Sequence, residues 1–340
     1  MADKKLTLAV AGSGKTTKLI NQLNLEESFF IVTYTITNSN LIRERIITRY
    51  GFLPNNIEVF TYFNFLYSFC VKPFLLFKYN LKGVYLESPP DHTNYLKNQD
   101  LKKYISPKGY VYHNRMAKLI QVENLVEDVI LRLEKFCDHF YYDETQDLGG
   151  HDFNFTLLLS QAKINFLFVG DFYQHTYATS FDRNVNMNLH KNYQNYIKHF
   201  KQKNITIDVK SLNNSWRCSP TMCNYISNNL GIQIGSHRTD TTKIEMISDK
   251  SHIEEILKND EIIKLVYSDA SKRPFRAKNW GECKGEDDYI NTCIILNKNT
   301  AKLFNQNSLM KLANRTKNKL YVALSRTRES CYLIDEKLVK

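Results

Sequence analysis

The stretch Ala9-Val-Ala-Gly-Ser-Gly-Lys-Thr-Thr17 constrains this chain most. The residues before it, Leu6-Thr-Leu-Ala-Val10, read as a short buried strand, and Leu19, Ile20 and Leu23 after it share one helical face. A Gly-rich turn therefore joins a strand to a helix N-terminus, the setting that a phosphate-binding loop requires. Gly12 and Gly14 let the backbone curl without Cβ clashes. The loop N–H groups and the helix dipole then face phosphate oxygens. Ala11, Gly12, Ser13, Gly14, Lys15, Thr16 and Thr17 are the expected nucleotide-binding residues. Lys15 is placed to reach the β- and γ-phosphates of ATP, and the Thr16 hydroxyl to ligate Mg²⁺. Ala9 stands where the G-x-x-x-x-G-K-[ST] pattern has its first Gly.

The chain has 340 residues, which predicts two domains. Its hydrophobic fraction of 43% is that of a globular chain, and no run approaches 18 apolar residues, so no membrane span is expected. The N-terminal Met-Ala-Asp-Lys-Lys runs straight into the first strand and does not read as a signal peptide. Seven Cys are scattered without a C-x-x-C pair, which suits reduced thiols in a cytoplasmic protein, and the nine His show no metal-ligand spacing. Lys and Arg number 46 against 35 Asp and Glu, and the net +11 draws the chain to polyanions. The 21 Tyr and 20 Phe add stacking surface, although most are expected in the core.

Further strands are predicted at Phe29–Thr33, Ile57–Phe60, Phe140–Tyr142 and Ile164–Gly170. The stretch Tyr34–Asn40 reads as the link to a helical run carrying Arg43, Glu44 and Arg45. Residues 71–117, punctuated by Pro73, Gly83, Pro89-Pro90 and Pro107 and rich in Lys and Tyr, read as a surface insertion. Leu119, Val122, Val126, Val129, Ile130 and Leu133 have helical spacing. Asp143 and Glu144 end an apolar strand, where Asp143 suits Mg²⁺, usually through water, and Glu144 suits polarising an attacking water.

Several blocks share one resemblance. Gly170-Asp-Phe-Tyr-Gln174-His-Thr-Tyr177 resembles the G-D-x-x-Q-x-x-Y segment of superfamily 1 helicases of the UvrD/Rep type. Leu212–Pro220, containing Trp216-Arg217, resembles the family's N-Y-R-S block. Cys283–Asp288 resembles S-K-G-x-E-F-D, Tyr321–Arg328 resembles V-A-x-T-R-A, and Val32–Asn38 resembles T-F-T-N-x-A-A, a single-strand contact. By this resemblance Gln174 senses the γ-phosphate, Trp216 stacks on the base, Arg217 touches the γ-phosphate and Arg326 is an arginine finger. The ribose-binding acid is Glu286 or Asp287. The resemblance implies an α/β fold of two RecA-like P-loop NTPase domains with parallel sheets and the ATP site in the cleft between them. The domains are expected at 1–207 and 208–340, with small insertions at about 71–117 and about 231–280, too short for the family's large accessory domains. Phe181 lies near, but displaced from, the family's aromatic wedge position.

The implied activity is ATP- and Mg²⁺-dependent movement along, or unwinding of, single-stranded nucleic acid, with DNA favoured over RNA. The alternative is a nucleic-acid-triggered ATPase subunit that signals to a protein partner such as a nuclease.

Overall fold

The structure, a computed structural model, describes residues 2–180, 182, 185–286 and 289–339. Phe181 and Asp287 lie outside the described residues. The chain divides into two compact units: Met1–Thr7, Thr16–Gly170 and Tyr177–Asp208 form one, and Leu8–Lys15, Asp171–Thr176 and Val209–Lys340 form the other.

The first unit is built on a six-stranded sheet of β1 (Lys4–Leu8), β2 (Phe29–Thr33), β3 (Ile57–Thr61), β4 (His139–Asp143), β5 (Asn165–Gly170) and β6 (Thr206–Asp208). The strand order is β3-β2-β4-β5-β1-β6. The pairs β2–β3, β2–β4, β4–β5 and β1–β6 are parallel, with Phe30 opposite Phe140 and Asp143 opposite Val169. Strands of such a sheet are covered on both faces and need apolar residues at consecutive positions. All five residues of β2 are accordingly buried. An aromatic layer crosses one face: Phe30, Phe69, Phe65, Phe140, Phe166, Phe168, Phe200 and Phe153 touch in a chain with centroid spacings of 5.1 to 5.8 Å. Much of the Phe content is thereby spent on the core.

Three local expectations shift. The first strand ends at Leu8 and not at Val10, because the Val10 N–H bonds to Leu212 O (3.0 Å) and Val10 and Ala11 join the core of the second unit. The helix after β2 begins at Ile36, where the Thr35 side chain caps the N–H of Asn38, so most of the stretch read as a link is helical. The single helical run across 119–133 is two helices, Met116–Val122 and Val126–Phe136. Asn124 between them takes a left-handed φ of 58°, and the Leu125 N–H turns back to Ile120 O, which ends the first helix. Within 71–117 a separate two-stranded sheet pairs Gly83–Tyr85 with Tyr110–Tyr112. Arg115 fastens this region through Thr93 Oγ1 (2.8 Å), Asn94 Oδ1 (2.7 Å) and the Lys103 carbonyl.

The second unit has a five-stranded sheet of β7 (Ile244–Ile247), β8 (Ile262–Val266), β9 (Ala277–Asn279), β10 (Asn291–Leu296) and β11 (Cys331–Asp335), in the order β7-β11-β10-β8-β9. Every neighbouring pair is parallel. Here the sequence reading is corrected: the stretch at about 231–280 is not an insertion but supplies β7, β8 and β9, three of the five strands. Its strands are short and carry charge (Lys264, Lys278, Glu245), which hides their apolar faces from a sequence reading. Both units are thus α/β layers around parallel sheets, the fold class expected. All seven cysteines are buried free thiols.

One buried carboxyl in the first unit sets a pH dependence. Asp152, in the first turn of the helix Gly150–Leu159, is 1% exposed. Burial, with Asp182 nearby, pushes its carboxyl up to about 7 against the opposing influence of the Thr179, Tyr62 and Ser180 hydroxyls. An unfolded Asp titrates near 3.9, so the folded state binds the proton more tightly. Stability therefore falls as pH rises from about 4 through about 7. Asp152→Asn should remove this slope and stabilise the protein above pH 7 by on the order of a few kcal/mol. Urea midpoints of both proteins from pH 5 to 8 check this, and parallel curves would refute it.

Candidate nucleotide site

In a parallel sheet every strand points the same way, so loops leaving the C-terminal ends gather on one edge. On that edge of the first unit's sheet β4 ends in Asp143, followed by Glu144. The strands β1 and β5 lead into the segments Leu8–Lys15 and Asp171–Thr176, which group with the second unit.

Glu144 has φ 59° and ψ 46°, the left-handed region that a non-Gly residue enters at a cost of roughly 1–2 kcal/mol. Strain of this kind persists where neighbours over-determine it. Its N–H donates to Asp143 Oδ1 (3.0 Å), and Gln146 Nε2 donates to its carboxylate. Thr145 Oγ1 donates to Val169 O (2.6 Å), fastening the turn to β5. A Cβ at Gly170 would come within 2.5 Å of Gln146 Oε1, so glycine at that strand end makes room for the turn. Asp143 and Glu144 are both buried.

In the second unit the loop Leu8–Lys15 is held by its backbone. Trp216 N–H donates to Gly12 O (2.8 Å), and the Ala11 N–H donates to Tyr321 OH (2.9 Å). The same hydroxyl donates to Asp171 Oδ2 (2.9 Å). Gly12 has φ 69°, and a Cβ there would lie 2.7 Å from Arg217 Cβ and Ser215 Oγ, so only glycine fits. Gly14 also has a positive φ, of 87°. Ser13 Oγ is buried and has no hydrogen-bond partner among the described residues, an unmet donor of the kind a phosphate oxygen satisfies.

The second unit also holds Gln174, Trp216, Arg217, Glu286 and Arg326. Arg217 Nη1 donates to Ser325 O (3.0 Å), next to Arg326, and Arg326 Nη1 donates to Glu286 O (2.8 Å). Both arginines are buried. Glu286 receives Lys278 Nζ on both oxygens (2.7 Å) and the Tyr289 hydroxyl. Partial burial works against its charged form, yet these bonds outweigh it and hold the carboxyl below its usual range. Trp216 is 65% exposed and stacks on His237 at 4.0 Å with an interplanar angle of 18°.

The first unit further carries an aromatic row. Tyr34 meets Tyr177 (5.7 Å) and Phe63 (5.9 Å), and Phe63 meets His113 (5.2 Å). All four are partly exposed. Tyr34 and Phe63 follow β2 and β3. Sequence reasoning missed the role of Tyr321, although it quoted this residue at the head of a motif block. It gave Asp171 no role, and it missed His237 entirely.

No family model matches the chain, and no curated protein does. Among solved structures, an Arterivirus nonstructural protein 10 (helicase) in complex with DNA is 12% identical, with a TM-score of 0.52, over 99% of this chain and 63% of that one. A second Arterivirus nonstructural protein 10 structure (12% identity, TM-score 0.49, 99% and 62% covered) and a PRRSV helicase (14%, 0.48, 98% and 52%) are also similar. The chain spans about half to just under two thirds of the length of these proteins. The likeness to the DNA-complexed structure is one of fold, and it agrees with two RecA-like α/β units.

Tyr321→Phe should leave the buried Ala11 N–H and the Asp171 carboxylate each short of a partner. The cost is on the order of 1–3 kcal/mol. The melting temperature should then fall by several degrees, and a melt unchanged from wild type would refute the bridge.

Proposed function

We propose that the chain is an ATP-driven motor on single-stranded nucleic acid, of the superfamily 1 helicase type. The observation that carries this reading is the parallel sheet, whose strands β1, β4 and β5 each end at a motif of nucleotide chemistry: the Gly-Lys-Thr loop, Asp143-Glu144 and Asp171–Gln174. The order of the motifs along the chain and the shared fold support it. The row Tyr34, Phe63, Tyr177 and His113 supports the nucleic-acid part, because bases stack on aromatic faces whatever their sequence. DNA is favoured, by analogy with the fold neighbour solved with DNA.

In this reading Ala11–Thr17 bind the phosphates and Lys15 meets the β- and γ-oxygens. Among the described residues Lys15 has no hydrogen-bond or ion-pair partner, so its charge is available to an anion. Thr16 and Asp143 offer the hydroxyl and carboxylate oxygens that Mg²⁺ prefers, and a bound Mg²⁺ would neutralise charge on the phosphates. Glu144, held by Gln146, accepts the proton of the attacking water. Gln174, Arg217 and Arg326 stabilise the transferring phosphoryl group, Trp216 stacks on the base and Glu286 meets the ribose. Localisation is proposed as cytoplasmic. Among the described residues no helix is long and apolar enough to cross a membrane.

ATP turnover should rise when single-stranded DNA is added, and the DNA affinity should fall steeply with salt, since several phosphates are neutralised by Lys and Arg. Lys15→Ala should abolish turnover, and Glu144→Gln should bind ATP but hydrolyse it poorly. Steady-state ATPase assays check the stimulation and both variants, a salt titration of DNA binding checks the affinity, and wild-type rates in either variant would overturn the reading. Strand displacement on tailed duplexes then separates a helicase from an ATPase that signals to a partner such as a nuclease.

Arg326→Ala should lower kcat by roughly 10³-fold per folded molecule, and Lys should rescue it poorly because it lacks the planar fork. Measuring kcat beside the melting temperature decides the role. A lowered melt with kcat within a few-fold of wild type would assign Arg326 to its bonds with Glu286 and Val322 carbonyls alone.

A further inference from the structure

We infer that His237 is a positioning residue for nucleotide binding, acting through Trp216. This rests on the assignment of Trp216 to the base. An exposed tryptophan on a loop has several rotamers, and ordering it on binding costs side-chain entropy. A side chain already stacked on one indole face removes that cost and leaves the other face for a base. His237 does this, with its ring parallel to the indole at 4.0 Å, while Trp216 remains 65% exposed.

The backbone that carries the imidazole is itself held firmly. Gly235–Ser236 pairs in parallel with Asn214–Ser215, and the His237 N–H donates to Ser215 O (2.9 Å). A Cβ at Gly235 would fall 2.0 Å from Asn214 Oδ1, so glycine permits this close approach. Ser236 Oγ donates to Cys218 O (2.7 Å). On the far side Arg238, paired with Asp240, donates through Nη1 to the carbonyls of both Arg217 and Arg328. The short loop 235–240 thus braces Trp216 through a ring and Arg217 through a guanidinium. Nothing in the residue pattern around His237 suggested this, because its partner lies 21 positions earlier.

The test uses the full-length chain and compares Trp216→Ala, His237→Ala and His237→Phe, with ATP as the titrant. His237→Ala should raise KM for ATP and Kd for a fluorescent ATP analogue several-fold with kcat within two-fold of wild type. His237→Phe, which keeps an aromatic face, should restore both. Trp216 is the exposed one of two tryptophans, Trp280 being fully buried. Its emission should therefore change in His237→Ala without ATP, with an unchanged melting temperature. If Trp216→Ala weakens ATP binding but His237→Ala does not, the inference falls and the base assignment stands. If Trp216→Ala itself leaves Kd and KM unchanged, the base assignment falls and the inference with it.

Discussion

A single buried hydroxyl ties together parts of the chain that are far apart in sequence. Tyr321 OH accepts from the Ala11 N–H and donates to Asp171 Oδ2, joining the segment Leu8–Lys15, the segment after β5 and the helix Asn314–Leu324. A phenol has one proton and accepts through its oxygen, so this arrangement uses it in both directions. Burial and the neighbouring Asp171 hold the phenol well above its usual range, so it stays protonated and remains a donor. The curl at Gly12, the bond from Trp216 N–H to Gly12 O and the seat of Arg217 against Ser325 all lie in the same packed region of the second unit.

The two units differ in how they are knit. In the first, aromatic rings pave one face of the sheet, so rigidity comes from broad contacts of shape. In the second, the segments bearing the motif residues are held chiefly by main-chain groups: carbonyls of Gly12, Arg217, Ser325, Glu286 and Arg328 receive bonds from Trp216, Arg238, Arg217 and Arg326. Main-chain anchoring fixes where a loop goes while leaving side-chain ends to chemistry.

What could be read from sequence is what is encoded locally. β2 and β5 appear almost at their observed bounds because a parallel strand buried on both faces must be continuously apolar. The Gly-Ser-Gly-Lys-Thr turn is self-announcing because its conformation depends on its own glycines. Tyr321, His237 and Arg238 stayed hidden because each acts on a carbonyl, ring or N–H that only the fold brings near. The break at Asn124 was missed because one left-handed residue does not disturb a helical spacing of apolar side chains. The stretch 231–280 was misread because its strands are short and its sheet is completed by residues much later in the chain.

That last feature has a consequence for biosynthesis. In the second unit β7 has β11 as its neighbour, and β8 lies between β9 and β10. As the chain leaves the ribosome, Ile244–Ile247 emerges with no strand to pair with until Cys331–Asp335 has been made. Through that interval its backbone donors and acceptors stay open to any other extended chain, the hazard of an unpaired edge. The ladder of β7 is therefore the last part of this sheet that the growing chain can complete, whereas β8, β9 and β10 have one another as neighbours beforehand.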